Sequence, residues 1–402
     1  MTTPLTTTCC IAGGGPAGMM AGFLLARAGI DVTVLEKHGD FLRDFRGDTV
    51  HPSTLEVMHE LGLLDEFLQR PHDEIVQLSA QIGDDHVQVA DFGRINTRCK
   101  FIALMPQWDF LDFIAEHARR LPNFHLLMTT AATGLIEENG TVVGVRTSTG
   151  DIRAKLTIAA DGRHSVLREA AGLAVEDRGA PIDVLWFRVA RRPTDPIDAF
   201  GRVDTGHMMV MLNRTTYWQC AYIIRKGGAD ALKAGDIGVL QGSVRALAPF
   251  LADRVGELTR WDDVKLLTVT VDRLRRWCRP GFLAIGDAAH AMSPIGGVGI
   301  NLAIQDAVAT ANLLARPLRD GTLTVGDLEA VQRRREFPMQ VIQAGQVFIQ
   351  NQLIDRILTS TGKLHAPWLL KALTSIPAFR GLPARIVGVG VRPEHVAVTE
   401  SR

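Results

Sequence analysis

Thr8-Cys9-Cys10-Ile11-Ala12-Gly13-Gly14-Gly15-Pro16-Ala17-Gly18 is the stretch that decides how this chain begins to fold. Thr8 to Ala12 is apolar and short enough for a buried strand, and the glycine cluster breaks it with a tight turn. Ala17 to Ala28 then carries helical periodicity up to Gly29, and Asp31 to Leu35 reads as a second strand. Strand, turn, helix and strand form one right-handed βαβ unit, which requires a parallel sheet to join.

The spacing Gly13-x-Gly15-x-x-Gly18 has a mechanical reason. Gly13 permits the turn, Gly15 lets a pyrophosphate approach the backbone, and Gly18 lets helix and strand pack closely. Pro16 and Ala17 open the helix, whose first N–H groups are unpaired donors for an anion. Glu36, with Lys37 beside it, closes the second strand where a carboxylate can accept from both ribose hydroxyls. That carboxylate repels a 2′-phosphate, so NADP is disfavoured here while FAD and NAD both remain open.

The rest of the 402 residues suggests further folded units. Ser53 to Glu56 has the form of a capping box before a helix ending near Gly62, and Gln107 opens another helix. Phe124 to Met128 reads as a strand. Hairpin signals at Asn139-Gly140 and Thr149-Gly150 point to an antiparallel meander over 134–160. From about 176 to 264, runs such as Val184–Ala190, Met208–Leu212 and Tyr217–Ile224 suggest a separate sheet. Strand Phe282–Ile285 leads through glycines into a helix from about Ile300 to Ala315, and a mostly helical tail follows, interrupted at Pro338, Pro367, Pro377 and Pro383.

Charge argues against several functions. Lysine plus arginine (44) balances aspartate plus glutamate (44), so no field of one sign is present to attract nucleic acid. The five cysteines form no C-x-x-C pair and their count is odd, which disfavours a zinc site or a secreted disulfide framework and suits the cytoplasm. No run of about 20 apolar residues suggests a transmembrane segment. Asp84-Asp85-His86 reads as an exposed turn, so no metal is expected.

Two further loops separate the cofactors. Ile158-Ala159-Ala160-Asp161-Gly162-Arg163-His164-Ser165 and Phe282-Leu283-Ala284-Ile285-Gly286-Asp287-Ala288-Ala289-His290 each end a strand with a glycine and an acid. Ser293-Pro294-Ile295-Gly296-Gly297-Val298-Gly299-Ile300-Asn301 follows the second. With these three motifs in order, nearly the whole chain resembles the flavoprotein aromatic hydroxylases, the para-hydroxybenzoate hydroxylase-like group A FAD-dependent monooxygenases.

The resemblance implies noncovalent FAD, NADH or NADPH as transient co-substrate, and O2 as oxygen source. A small aromatic substrate would be hydroxylated through a flavin hydroperoxide. Asp287 would bond the ribityl hydroxyls, with Gly286 allowing close passage; Asp161 and Gly162 would lie near the pyrophosphate. Arg46 would contact FAD, Gln107 would reach the ribityl region, and Ala132 would approach adenine through its backbone. Gly297, Gly299, Ile300 and Asn301, opening a helix, offer N–H groups where negative charge develops on reduced flavin. Pro294 could present its carbonyl to the substrate hydroxyl, and His51 is a candidate proton shuttle, whereas His290 reads as a packed core histidine.

The expected fold class is α/β (α+β). It comprises a Rossmann-like FAD-binding domain with a β-meander (1–71, 98–175 and 265–325), a substrate-binding domain on a mainly antiparallel sheet (72–97 and 176–264), and a C-terminal helical region (326–402). Trp186, Met209, Met211, Trp218 and Tyr222 are available for an apolar wall over the flavin, although strand alternation lets only half of them face it. A monomer or homodimer fits. The alternatives are an FAD-dependent reductase of an unsaturated, isoprenoid-like substrate and a non-enzymatic flavin-binding redox sensor. Absence of a second G-x-G-x-x-G argues against enzymes that hold two dinucleotides.

Overall fold

The computed structural model describes residues 5–42, 48–196, 201–368, 371, 374, 376 and 380–398, with Leu353 by its backbone alone. Its first sheet is built around strand Leu5–Ala12, with Val32–Leu35 and Phe124–Leu127 on one side and Gly150–Ala159 and Phe282–Ala284 on the other, all parallel. Register decides what this sheet can do. Ala12 lies opposite both Leu35 and Ala159, and Ala159 lies opposite Ala284. The four strands therefore end level, so Gly13, Glu36, Ala160 and Ile285 emerge along one edge although some 270 residues of chain separate the first from the last.

Both faces of this sheet are covered, as its near-continuous apolar strands require. Helix Pro16–Arg27 packs on one face beside helix Gly299–Asp320, and it lies close on the strands because Gly22 presents no side chain toward Val34. Strands Ala132–Glu138 and Thr141–Thr147 form the expected meander and pair onto the early part of Gly150–Ala159. Helix Gly299–Asp320 begins one residue earlier and ends five later than its sequence pattern suggests. The segment Ile295–Asp320 is long and apolar enough to cross a membrane, but 83% of its most apolar window is buried inside the protein.

The second sheet has seven strands in the order Lys265–Leu267, Ile182–Ala190, Tyr217–Arg225, His207–Arg214, Gly201–Asp204, Gln77–Ile82 and Asp85–Asp91. The hairpin from residues 77–91 thus joins the sheet formed after 176. So does Lys265–Leu267, which the sequence pattern had placed with the cofactor-binding unit. One face packs Leu185, Phe187, Met209, Met211, Trp218, Cys220 and Tyr222 against Leu240, Val244 and Leu247. The opposite face carries Val184, Trp186, Met208, Val210, Ala221 and Ile223, and meets Ile295, Val347 and Ile354.

Two local expectations fail for identifiable reasons. The capping box at Ser53 does not form: Pro52 takes the first helical position of Pro52–Glu60, His51 becomes the N-cap, and the Glu56 carboxylate accepts instead from the Arg98 N–H. Pro338 does not end the tail helix, which runs unbroken over Val325–Ile349. Burial of Leu328, Val331, Met339 and Ile342 offsets the one hydrogen bond that proline removes. Pro383 sits in the first turn of helix Gly381–Gly388, where the lost donor matters little; Pro377 lies outside the described residues.

Candidate active site

The level edge of the first sheet gathers the glycines. Gly13 has φ +112°, and a Cβ there would overlap the carbonyl of Ala160 at the end of the neighbouring strand; a Cβ on Gly18 would overlap the carbonyl of Gly13. These two glycines serve packing. Gly15 differs, since nothing lies within 4 Å of where its Cβ would stand, and no side chain caps the helix it precedes. Glu36 is 8% exposed, its carboxylate accepting from Gly14 N at 3.2 Å and His38 N at 3.0 Å. Lys37 is exposed. Ala132 starts two residues beyond Thr130, whose N–H donates to the Glu36 carbonyl at 2.8 Å, which puts it beside the acid.

One strand over, Asp161 accepts from Leu167 N at 3.3 Å through Oδ2, while its buried Oδ1 has no hydrogen-bond partner. Burial pushes this carboxyl above the usual range. Gly162 has φ +86° and open space where a Cβ would stand. Arg163 reaches from this loop to Asp287, 3.5 Å away, and both side chains are partly exposed. Asp287 sits in a single helical turn, Gly286–Ala288, directly after the sheet edge; Gly286 has φ +59° and is wedged beside Ala17 of the first helix.

The third loop is pinned from the other side. Thr49 Oγ1 donates to Gly297 O at 3.0 Å, and a Cβ on Gly297, φ +63°, would collide with the Thr49 side chain. Asn301 Oδ1 accepts from His51 N at 2.9 Å and Thr54 Oγ1 at 2.7 Å. The Asn301 side chain therefore ties the loop to residues 49–54, which leaves only backbone N–H groups around Gly299 and Ile300 for a ligand at the uncapped helix start. Pro294 O already accepts from Gly297 N at 3.0 Å, so one lone pair is left for a substrate.

His51 is fully buried. Its Nδ1 donates to Val387 O at 2.8 Å and its Nε2 has no partner; burial lowers its pKa to about 4, so the ring is neutral. His290 is equally buried and bonds Asp306, 2.6 Å away, beneath the Gly286 turn. Asp84 and Asp85 pair with Lys363 and Lys371 at 2.6 and 2.7 Å, which occupies the carboxylates of that turn. Gln107 opens helix Gln107–Ala118, and its backbone N–H contributes a hydrogen bond to the Asp48 carboxylate. Arg46 lies outside the described residues.

Alternation settles which side chains can form a wall. Of the five proposed from sequence, only Trp186 is on the face toward the Pro294–Asn301 loop; Met209, Met211, Trp218 and Tyr222 are sealed behind the sheet. Trp186 aligns with Ala221, Val210, Gly201 and Ala80 in one row across five strands. Nearby, Asp48 makes a buried ion pair with Arg214, 2.6 Å, and accepts from Gln219. Sequence reading missed this cluster because its three members gain meaning only when the strand order is known.

These residues fit an elongated dinucleotide. The cradle is open where a phosphate needs room, at Gly15 and Gly162; a carboxylate stands at each end, Glu36 and Asp287; and Asp161 keeps an orphaned oxygen between them. Comparison identifies which one. Residues 6–345 match the family model described as FAD binding domain. The chain is 33% identical over 390 residues to 6-methylpretetramide 4-monooxygenase of Streptomyces rimosus, covering 94% of this chain and 92% of that one. It belongs to the FAD-dependent aromatic hydroxylases.

The hydroxylase is also 25% identical over 353 residues to para-nitrophenol 4-monooxygenase of Pseudomonas sp. (strain WBC-3), covering 81% and 82% of the two chains. Its fold is shared with PqsL, a probable FAD-dependent monooxygenase from Pseudomonas aeruginosa, at TM-score 0.75 and 24% identity over 88% of this chain and 97% of that one. The protein is an FAD-dependent monooxygenase acting on small molecules.

Proposed function

We propose that this monooxygenase hydroxylates a planar, fused-ring aromatic substrate held between the Pro294–Asn301 loop and the second sheet. The observation that carries this reading is the row Ala80, Gly201, Val210 and Ala221, small side chains that end at Trp186. Adjacent strands lie about 4.8 Å apart, so the four small positions span roughly 14 Å, wider than a single six-membered ring. The relatives named for 6-methylpretetramide and para-nitrophenol support the aromatic class.

FAD supplies the redox and oxygen-activating chemistry when bound, with NADH or NADPH as electron donor and O2 as oxygen source. Gly13, Gly15, Pro16, Ala17 and Gly18 would cradle its phosphates, with Asp161 and Gly162 beside them. Glu36, Lys37 and Ala132 would hold the adenosine end. Gly286, Asp287 and Gln107 would hold the ribityl chain, and Gly297, Gly299, Ile300 and the Asn301 backbone would face the ring. The free lone pair of Pro294 O would accept from a substrate hydroxyl, and the apolar row would keep water out. His51, buried and neutral, suits holding the loop in place better than carrying protons to solvent.

We assign cofactor binding to 1–71, 98–175 and 268–325, substrate binding to 72–97 and 176–267, and bracing of both to the C-terminal helices. Among the described residues all five cysteines are buried and unpaired, which supports a reducing cytoplasm. The test is product mass. Fused-ring phenols should accelerate NAD(P)H oxidation and return a product that has gained one oxygen atom from labelled O2. Uptake of two hydrogens at an alkene, or no stimulated consumption by any compound, would overturn the reading.

A further inference from the structure

We propose that Asp306 is a positioning residue for FAD, fixing from beneath the Gly286–Ala288 turn that presents Asp287 to the cofactor. Asp306 lies in the second turn of helix Gly299–Asp320 and has no solvent exposure. Its Oδ2 accepts from Gly286 N at 3.1 Å and from His290 Nε2 at 2.6 Å, and its Oδ1 accepts from Arg335 Nε at 3.0 Å. Three donors from two separate segments, the 286–290 turn and the tail helix, converge on one carboxylate.

The arrangement decides the orientation of the Gly286 peptide. Its N–H is fixed by Asp306, and its carbonyl accepts from Ala289 N and His290 N, both at 2.9 Å. Gly286 also has φ +59° and stands against Ala17 and Ala303, so the turn is held between the first helix and the helix that carries Asp306. Among the described residues, the side chain of Asp287 has one distant contact, Arg163 at 3.5 Å, and remains partly exposed. What aims Asp287 is therefore the backbone of its turn. Among the described residues, the side-chain bonds to that backbone come from Asp306 and, more loosely, from Arg168 to Ala288 O at 3.4 Å.

His290 and Arg335 keep the carboxylate from rotating. An ionised carboxylate can only accept, so the proton between it and His290 belongs to Nε2, and the ring lies against Trp277 with centroids 4.9 Å apart. Arg335, itself 1% exposed, also faces Glu394 at 3.6 Å. His290 and Arg335 hold Asp306 below the usual carboxylate range in spite of its burial. A side chain needed only to neutralise Arg335 would not have to meet the turn's N–H as well.

Asp306→Asn leaves one acceptor oxygen for three donors. Expected is an apoprotein that still melts cooperatively yet binds FAD at least tenfold more weakly in a fluorescence titration, with altered visible circular dichroism of the bound flavin. Glu394→Gln, which touches the network without touching the turn, should leave the FAD Kd within about twofold. If Asp306→Asn does not fold, His290→Phe decides, since it keeps the carboxylate but frees it to turn, and Kd should rise about threefold or more. Wild-type Kd and flavin spectrum in whichever of the two folds, even with a lowered melting temperature, would overturn the proposal and leave Asp306 a structural ion-pair partner.

Discussion

The two sheets of this hydroxylase place function differently. In the first, the central strands are parallel and covered on both faces, so the groups we assign to the cofactor sit at one edge, where Ala12, Leu35, Ala159 and Ala284 end level. In the second, strands are mainly antiparallel, with one parallel pair between Gly201–Asp204 and Gln77–Ile82, and the side we assign to the substrate is a face, shared by Trp186, Val210 and Ala221 and denied to Met209, Met211 and Trp218. An edge is made by loops whose backbone demands leave glycines in the sequence. A face is one of two equal choices along each strand, and the sequence marks neither.

The difference can be broken most forcefully at Gly18. Gly18→Ala drives a Cβ into the Gly13 carbonyl, and we expect loss of about 4 kcal/mol or more of stability together with the flavin, read from thermal melts and the flavin-to-protein ratio. Met209→Ala should cost about 2–5 kcal/mol by opening a cavity behind the sheet, with the substrate KM little changed. Its counterpart on the opposite face, Val210→Phe at a half-buried position of the same row, should do the reverse, raising KM about tenfold while the melting temperature holds. Equal effects on KM from the two variants would show that the faces have been assigned wrongly.

At the seam between cofactor loop and C-terminal helix, His51 predicts a pH dependence. Burial lowers its pKa from 6.5 to about 4, so the unfolded chain takes up a proton across an interval in which the folded chain does not. Its contribution is complete above pH 6.5 and is lost as pH falls toward 4, on the order of 3 kcal/mol at the lower end. Denaturation midpoints at the two ends of that window should fall less steeply in His51→Asn than in the parent. The smallest effect on the fold is expected from Asp287→Ala: its side chain is partly exposed, so the apoprotein should stay folded while FAD binds about 10- to 100-fold more weakly. Unchanged flavin content would remove Asp287 from the cofactor site.

Much of the cofactor half was legible because each of its residues answers a local demand. Gly13 and Gly18 occupy places where any side chain would collide, Gly286 has a φ of +59° that other residues rarely adopt, and Glu36 ends a strand at a distance set by one helix and one turn. The errors also have local causes. Ser53 and Glu56 have the form of a cap, but Pro52 and Arg98 compete for the same groups; Pro338 looks like a stop, but the tail helix has enough buried surface to continue. Asp306 carries a faint signal, an acid among Leu302, Ile304, Ala307 and Val308, where burial without partners would be costly. Its partners His290 and Arg335 lie 16 and 29 residues away, beyond anything periodicity can connect.

By itself the sequence determined the cofactor class and the three glycine-bearing loops that the first sheet gathers along one edge, because close backbone approach to a phosphate or to another strand admits few residue types. Only the tertiary structure decided which face of the second sheet looks toward the flavin loop, that Asp48 meets Arg214, and that Asp306 stands under the turn of Asp287. Those relations depend on strand order and helix packing, which bring together side chains that no local rule requires to be neighbours.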